Sequence, residues 1–190
     1  MKNRKPSLGR RLPQRAAGLC LLALALAAAT PAPASAAGEA VFNEYQVKAA
    51  FIKNIVKFVS WPTGTPGALT LCLLGEDPFS GALASKSDLG DGRSLAGIRI
   101  GKVQESGECQ ILFIPSSKGA ALPEILDALG ARPVLTIGDG EGLALAGLAF
   151  GLLVEAQKVR FEANLEPIRR AGLTASSRLL GLAKAVQNAQ

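Results

Sequence analysis

Chemistry in this 190-residue chain would have to come from three cysteines, a few serines beside lysine, paired acids and glycine-flanked turns, because the sequence contains no histidine. Ser-His-Asp and Cys-His nucleophiles and H-E-x-x-H zinc sites all need an imidazole, so those mechanisms are excluded. Ser117 beside Lys118 is the nearest approach to a nucleophile with its base, yet neighbours in sequence need not point together. Glu76-Asp77 reads as a pair of solvated turn acids. Gly90-Asp91-Gly92 and Gly138-Asp139-Gly140-Glu141-Gly142 lack the strand, lysine and helix context of a phosphate loop and read as ordinary turns. The expectation is a protein with no catalytic residues, no metal ligands and no cofactor.

The charge points first to nucleic acid and then away from it. The formal net charge is +6 and the pI about 9.5, but six of the 21 Lys plus Arg lie within residues 2–15, where there is no acid. The remaining 15 balance the 15 Asp plus Glu, and the basic footprint of a nucleic-acid binder is missing. The six cations precede the uncharged run Ala16 to Ala29, which falls short of the roughly 20 residues that span a bilayer. Small residues follow through Pro33-Ala34-Ser35-Ala36. This is the pattern of a secretory signal peptide cleaved after Ala36, with an uncleaved anchor as the rival, and it leaves residues 37–190 as a single exported domain in the periplasm with no membrane insertion of its own.

Cys20 departs with that leader. Cys72 and Cys109 remain, spaced neither as a metal knuckle nor as C-x-x-C; an even count in an oxidising compartment favours a disulfide, with two buried free thiols as the alternative.

The elements that position these residues alternate. Asn43 to Ser60 is an amphipathic helix with Val47, Phe51, Ile55 and Phe58 along its apolar stripe, Asn43 as N-cap and Trp61-Pro62 as stop. A basic amphipathic helix can lie on a membrane, but this stripe is wide enough to be core. Strands are expected at Leu69 to Leu74, Gly97 to Val103, Gln110 to Ile114 and Pro133 to Ile137. A turn opening a short helix is expected from Asp77 to Leu83, and a helix at Leu122 to Leu129. Leu148 to Val154 and Lys158 to Leu165 form an antiparallel hairpin, its second arm alternating Val159, Phe161, Ala163 and Leu165 with a polar face of Arg160, Glu162 and Asn164. Ser176 to Val186 is expected to close the domain as a helix. The fold class is therefore α/β: a single domain with a largely parallel central sheet, a C-terminal antiparallel hairpin and helices on both faces. In such sheets ligands gather at the carboxyl ends of the strands, here the loops Gly75 to Phe79, Pro115 to Lys118 and Gly138 to Glu141.

Several strings are more particular. Glu44-Tyr45-Gln46-Val47-Lys48-Ala49-Ala50-Phe51, Lys57-Phe58-Val59-Ser60-Trp61-Pro62 and Leu71-Cys72-Leu73-Leu74-Gly75-Glu76-Asp77-Pro78-Phe79 come first. They are followed in order by blocks at Cys109 to Ile114, Pro133 to Asp139, Arg160 to Leu165 and Ala171 to Leu180. Together they resemble the YfiR-like family of periplasmic regulatory proteins. The resemblance implies a non-enzymatic, homodimeric protein that binds the periplasmic sensor domain of an inner-membrane diguanylate cyclase or a related receptor, restraining cyclic di-GMP signalling and biofilm formation. It also implies pairing of Cys72 with Cys109, while a second cysteine pair of some relatives, in the later hairpin, has no counterpart here. If the surface is the function, the candidate contact residues are Trp61, Arg160, Glu162, Asn164 and Arg178. The alternative from a different class is a periplasmic small-solute-binding component of a transporter or receptor system, although a two-lobed solute trap needs a longer chain.

Overall fold

The computed structural model describes residues 35–188, so residues 1–34 of the proposed leader lie outside the described residues. Its first element is helix α1, Ser35–Lys57, and its second the two-residue strand β1, Val59–Ser60. Asn43 is therefore interior to α1 and not its N-cap, because the helix begins upstream, and the proposed cleavage point after Ala36 falls in its first turn. The expected stripe is rotated. Lys48, Ala49, Ile52, Ile55, Val56 and Val59 are buried, whereas Val47 and Phe58 are 42% and 36% exposed. One cation drawn inward, Lys48, shifts the buried face by about one residue.

The parallel strands are β2 (Ala68–Leu74), β4 (Ser94–Ile100), β5 (Ile111–Ile114), β6 (Leu135–Asp139) and β7 (Phe150–Glu155). β5 and β6 are buried along their whole length and β2 over most of it, as strands covered on both faces must be, whereas β4 is exposed at Ile98 and Arg99. Strand β3 (Ser87–Asp88) guards one edge; β8 (Lys158–Asn164) and β10 (Ala185–Gln187) complete the other, giving the order β10-β8-β7-β6-β5-β2-β4-β3. β7 and β8 pair antiparallel as the expected hairpin, turning through Ala156 and Gln157, both at positive φ. Strand β9 (Thr174–Ala175) pairs only with β1. This is the expected mixed α/β domain with a mostly parallel sheet.

Two cores flank the sheet. One side holds α1, Phe79, Leu83, Leu89 and the C-terminal segments, including α3 (Leu165–Arg170) and α4 (Ser177–Leu180). The other holds α2 (Leu122–Leu129), which matches its expected span, with Cys72, Cys109, Leu112 and Leu148.

Three expected elements differ. Asp77 to Leu83 turns without becoming helical: both Asp77 oxygens accept backbone N–H groups, from Phe79 and Gly81 at 2.8 Å each, and Ser80 sits at positive φ. β4 begins at Ser94 and ends at Ile100, since its seven residues match all seven of β2. Ser176 to Val186 is helical only over α4; Lys184 N–H then donates to Phe161 O at 2.8 Å and β10 takes the open edge of β8.

The polar face expected on β8 is also corrected. Arg160 is exposed, but Glu162 is 7% and Asn164 9% exposed, because residues 140–148 lie across that face of the sheet. Glu162 Oε2 accepts from Gly142 N–H at 3.1 Å, and Asn164 Nδ2 donates to Ala144 O at 2.8 Å. Gly151, which pairs with Glu162, makes room: a Cβ there would lie 3.2 Å from Ala144 N.

Candidate functional site

The strands order as 2-1-3-4-5 when the five parallel ones are counted in chain order, so the direction of winding reverses between β2 and β5. In open α/β sheets the crevice at the carboxyl ends near such a point is where ligands bind. Here the chain fills that crevice itself on the α1 side. Phe79, just beyond the end of β2, stacks edge-on against Phe113 of β5 with centroids 4.8 Å apart and against Tyr45 of α1 at 5.6 Å.

Next to this aromatic row, Asp139 ends β6 and receives two donors from α1. Lys48 Nζ reaches Asp139 Oδ1 at 2.5 Å and Tyr45 Oη donates to Oδ2 at 2.8 Å. Lys48 also pairs with Glu44, one turn earlier, and sits 5.1 Å from the Tyr45 ring centroid. The side chains of Lys48 and Asp139 are 5% and 6% exposed. Burial, followed by the hydrogen bond to Asp139, pushes the Tyr45 hydroxyl well above the usual tyrosine range, which keeps it a donor. With every polar group matched, the cluster has no free nucleophile or base. It is a clamp between helix and sheet.

The other end of α1 is held by Arg93. Its guanidinium donates to the carbonyls of Val59 at 3.0 Å and Lys57 at 2.9 Å, satisfying groups that a helix end leaves unpaired, and its partner Asp91 is held below the ordinary carboxylate range by that hydrogen bond. Trp61 is half-buried, with Arg93 5.8 Å from its ring and Nε1–H donated to Gln110 O at 3.3 Å. Trp61 is thus tied to the start of β5. Arg160 and Arg178 are exposed on separate elements, and Glu162 and Asn164 are enclosed; the partners of the Trp61 side chain are Gln110 and Arg93, and none of the other four. Asn164 additionally caps α3 by accepting from Glu166 N–H at 3.0 Å.

Cys72 and Cys109 are disulfide-bonded, with Cα atoms 5.8 Å apart and both residues buried. Ser117 is exposed in a 3₁₀ turn, Ser116–Ala121, and no hydrogen bond joins it to Lys118. Among the described residues no three His, Cys, Asp or Glu side chains gather as a metal site, and no helix is long and apolar enough to cross a membrane. Between α1 and the hairpin tip lies a groove of about 720 Å³ lined by Val47, Phe51, Val154 and Val159 together with Glu44 and Lys158.

The profile of the YfiR/HmsC-like family matches residues 45–184, which takes in every element from the Tyr45–Lys48 turn of α1 to the last turn before β10. The chain belongs to the YfiR/HmsC-like family. Two solved structures are similar to this YfiR/HmsC-like chain. An ABC domain from Streptococcus pneumonia, crystallised with L-Trp, superposes with a TM-score of 0.51 at 9% identity over 76% of this chain and 60% of that one. A conserved domain protein from Vibrio cholerae O1 biovar El Tor gives 0.49 at 11% over 75% and 60%. The chain therefore spans about 60% of the length of each. At these identities the first likeness speaks to fold alone.

Sequence reasoning missed Lys48, Asp139 and Arg93. Composition and spacing give Lys48 no role, and Asp139 reads as part of a glycine-flanked turn. The available signal was the lysine i+4 from Glu44 and i+3 from Tyr45, beside a strand that ends Ile137-Gly138-Asp139.

Proposed function

We propose that this YfiR/HmsC-like protein is exported, cleaved after Ala36, and acts in the periplasm as a homodimeric, non-catalytic regulator that restrains a membrane-bound diguanylate cyclase by contact with its periplasmic sensor domain. The observation that carries the reading is the family match over residues 45–184. The arrangement of the carboxyl-edge crevice accords with it: the crevice is packed with Tyr45, Phe79 and Phe113, and the ionic groups beside it are spent on one another. Of the surface candidates, Arg160 and Arg178 are accessible and Trp61 is partly so, and these three form the proposed contact set.

In-cell crosslinking with mass spectrometry of the captured membrane protein, together with cyclic di-GMP measured after deletion of the gene, tests the proposal. Capture of a cyclase and a rise in cyclic di-GMP are expected. Capture of a transporter with unchanged cyclic di-GMP would overturn it. That second outcome belongs to a solute-binding role, which the partly apolar groove between α1 and the hairpin favours; its size is within the range of about 300–1,000 Å³ usual for ligand pockets.

A further inference from the structure

We infer that the groove between α1 and the hairpin tip binds an organic ammonium ion, with its apolar body on Val47, Phe51, Val154 and Val159 and its charge beside Glu44. Val47 and Val154 are 42% and 45% exposed, and Phe51 and Val159 are only partly buried, so four apolar side chains open onto one space of about 720 Å³. Apolar residues scattered singly over a surface need no explanation, whereas a shared concavity of ligand size marks a binding site.

Both walls stand without a ligand. Residues 44, 47 and 51 follow helical spacing along one face of α1, so the acid and the two apolar side chains point the same way. The other wall is the cross-strand pair Val154 and Val159, on the sheet face that also carries Phe161. Phe161 meets Phe51 edge-on with ring centroids 6.4 Å apart, which joins the two walls at one end. α1 is fixed by the Lys48–Asp139 pair and the hairpin by its ladder from Phe150–Ala163 to Glu155–Lys158, so the groove is pre-formed.

Charge selects the class of ligand. Lys48 is shared by two carboxylates, Glu44 and Asp139, so the clamp carries an excess of one formal negative charge. Asp139 is enclosed, whereas the Glu44 side chain is 34% exposed and lines the groove. Lys48 donates to Glu44 Oε1, and no described residue donates to Oε2. At the hairpin tip the charges cancel instead: Lys158 stands opposite Glu155, and Lys184 pairs with Glu155 and Glu141. Alternation along β8 also turns Lys158 to the face opposite Val159. An apolar floor beside one uncompensated carboxylate favours a cation with an apolar body over a carboxylate or a neutral solute of the same size. Binding to the groove needs no membrane partner, so a negative result here would leave the regulatory reading standing.

The test titrates the purified protein with hexylammonium chloride, sodium hexanoate and hexanol at matched ionic strength, reading valine methyl signals by NMR. Hexylammonium should move the Val47, Val154 and Val159 methyl signals saturably and bind about tenfold or more tightly than hexanoate. Glu44→Gln keeps an acceptor for Lys48 and removes the charge, so it should bring hexylammonium to within about twofold of hexanol. Because Glu44 also holds Lys48, a second variant stays clear of the clamp: Val154→Ser should weaken hexylammonium binding about threefold or more. No saturable movement, movement centred on methyl groups outside the groove, hexanoate binding as tightly as hexylammonium, or full affinity retained in either variant would overturn the inference.

Discussion

Lys48 and Asp139, 91 residues apart in the chain, form a 2.5 Å ion pair in which both side chains are more than nine-tenths buried. The pair joins the first helix to the last residue of β6, and Glu44 and Tyr45 complete it. Removing one member strands the other charge away from water, which costs about 3–5 kcal/mol. Lys48→Met should lower stability by that amount in urea unfolding, and Asp139→Asn by less, because Glu44 still pairs with Lys48. The double variant Lys48→Met with Asp139→Asn should lose distinctly less than the two single losses added together.

Tyr45 adds a pH dependence. Its hydroxyl titrates higher in the folded protein than in the unfolded chain, so the folded state holds this proton more tightly. The associated stability is complete below the ordinary tyrosine value near 10 and is lost as pH rises above it through the folded value. The informative comparison is with Tyr45→Phe, which lacks the titrating hydroxyl. That variant should show a shallower loss of stability above about pH 10 than the parent, read from urea midpoints at stepped pH.

Reduction should weaken the domain without erasing the fold. Cys72 and Cys109 close a loop of 37 residues, and the chain-entropy relation assigns about 4 kcal/mol to such a closure. Cys72→Ser with Cys109→Ser should unfold at lower urea by that order, and the parent should match it in strong reductant.

Asn164 performs two tasks, donating to Ala144 O and capping α3. Asn164→Ala should cost about 2 kcal/mol, the sum of a cap and a buried hydrogen bond. Amide exchange should rise first in residues 140–148, which a purely local cap effect would leave alone.

At Gly97 the N–H donates to Leu83 O at 2.7 Å, and a Cβ would stand 2.7 Å from that same oxygen. Backbone cannot yield there cheaply, so Gly97→Ala should lose about 1–3 kcal/mol. Gly107→Ala, with open space around its Cβ, should stay within about 0.5 kcal/mol of the parent, as denaturation midpoints will show.

Much of this architecture was legible from apolar runs and turn residues. Leu122 to Leu129 and the hairpin turning after Glu155 were readable because period and connection length are local properties. Burial of polar side chains was not. Glu162 and Asn164 alternate with apolar neighbours just as a solvated face does, and only the path of residues 140–148 over them converts that face to interior. The same holds for Lys48, whose partner lies 91 residues away. The end of the chain differs for a related reason: Ser176 to Val186 carries apolar residues at helical positions, but over Ala185–Gln187 the open edge of β8 offers backbone partners. The resemblance, resting on ordered blocks, captured membership but not which polar residues those blocks bury.

Adjacent residues of β2 face opposite cores, Leu71 and Leu73 toward the side that holds α1, Cys72 toward the side that holds α2. The disulfide and the helix clamp are thus separated from one another by the thickness of the sheet. An oxidation event at Cys72 can reach α1 only by displacing β2 itself, which is bonded on both sides by β4 and β5. A substitution at the disulfide and one at the helix clamp therefore act first on opposite faces of the domain.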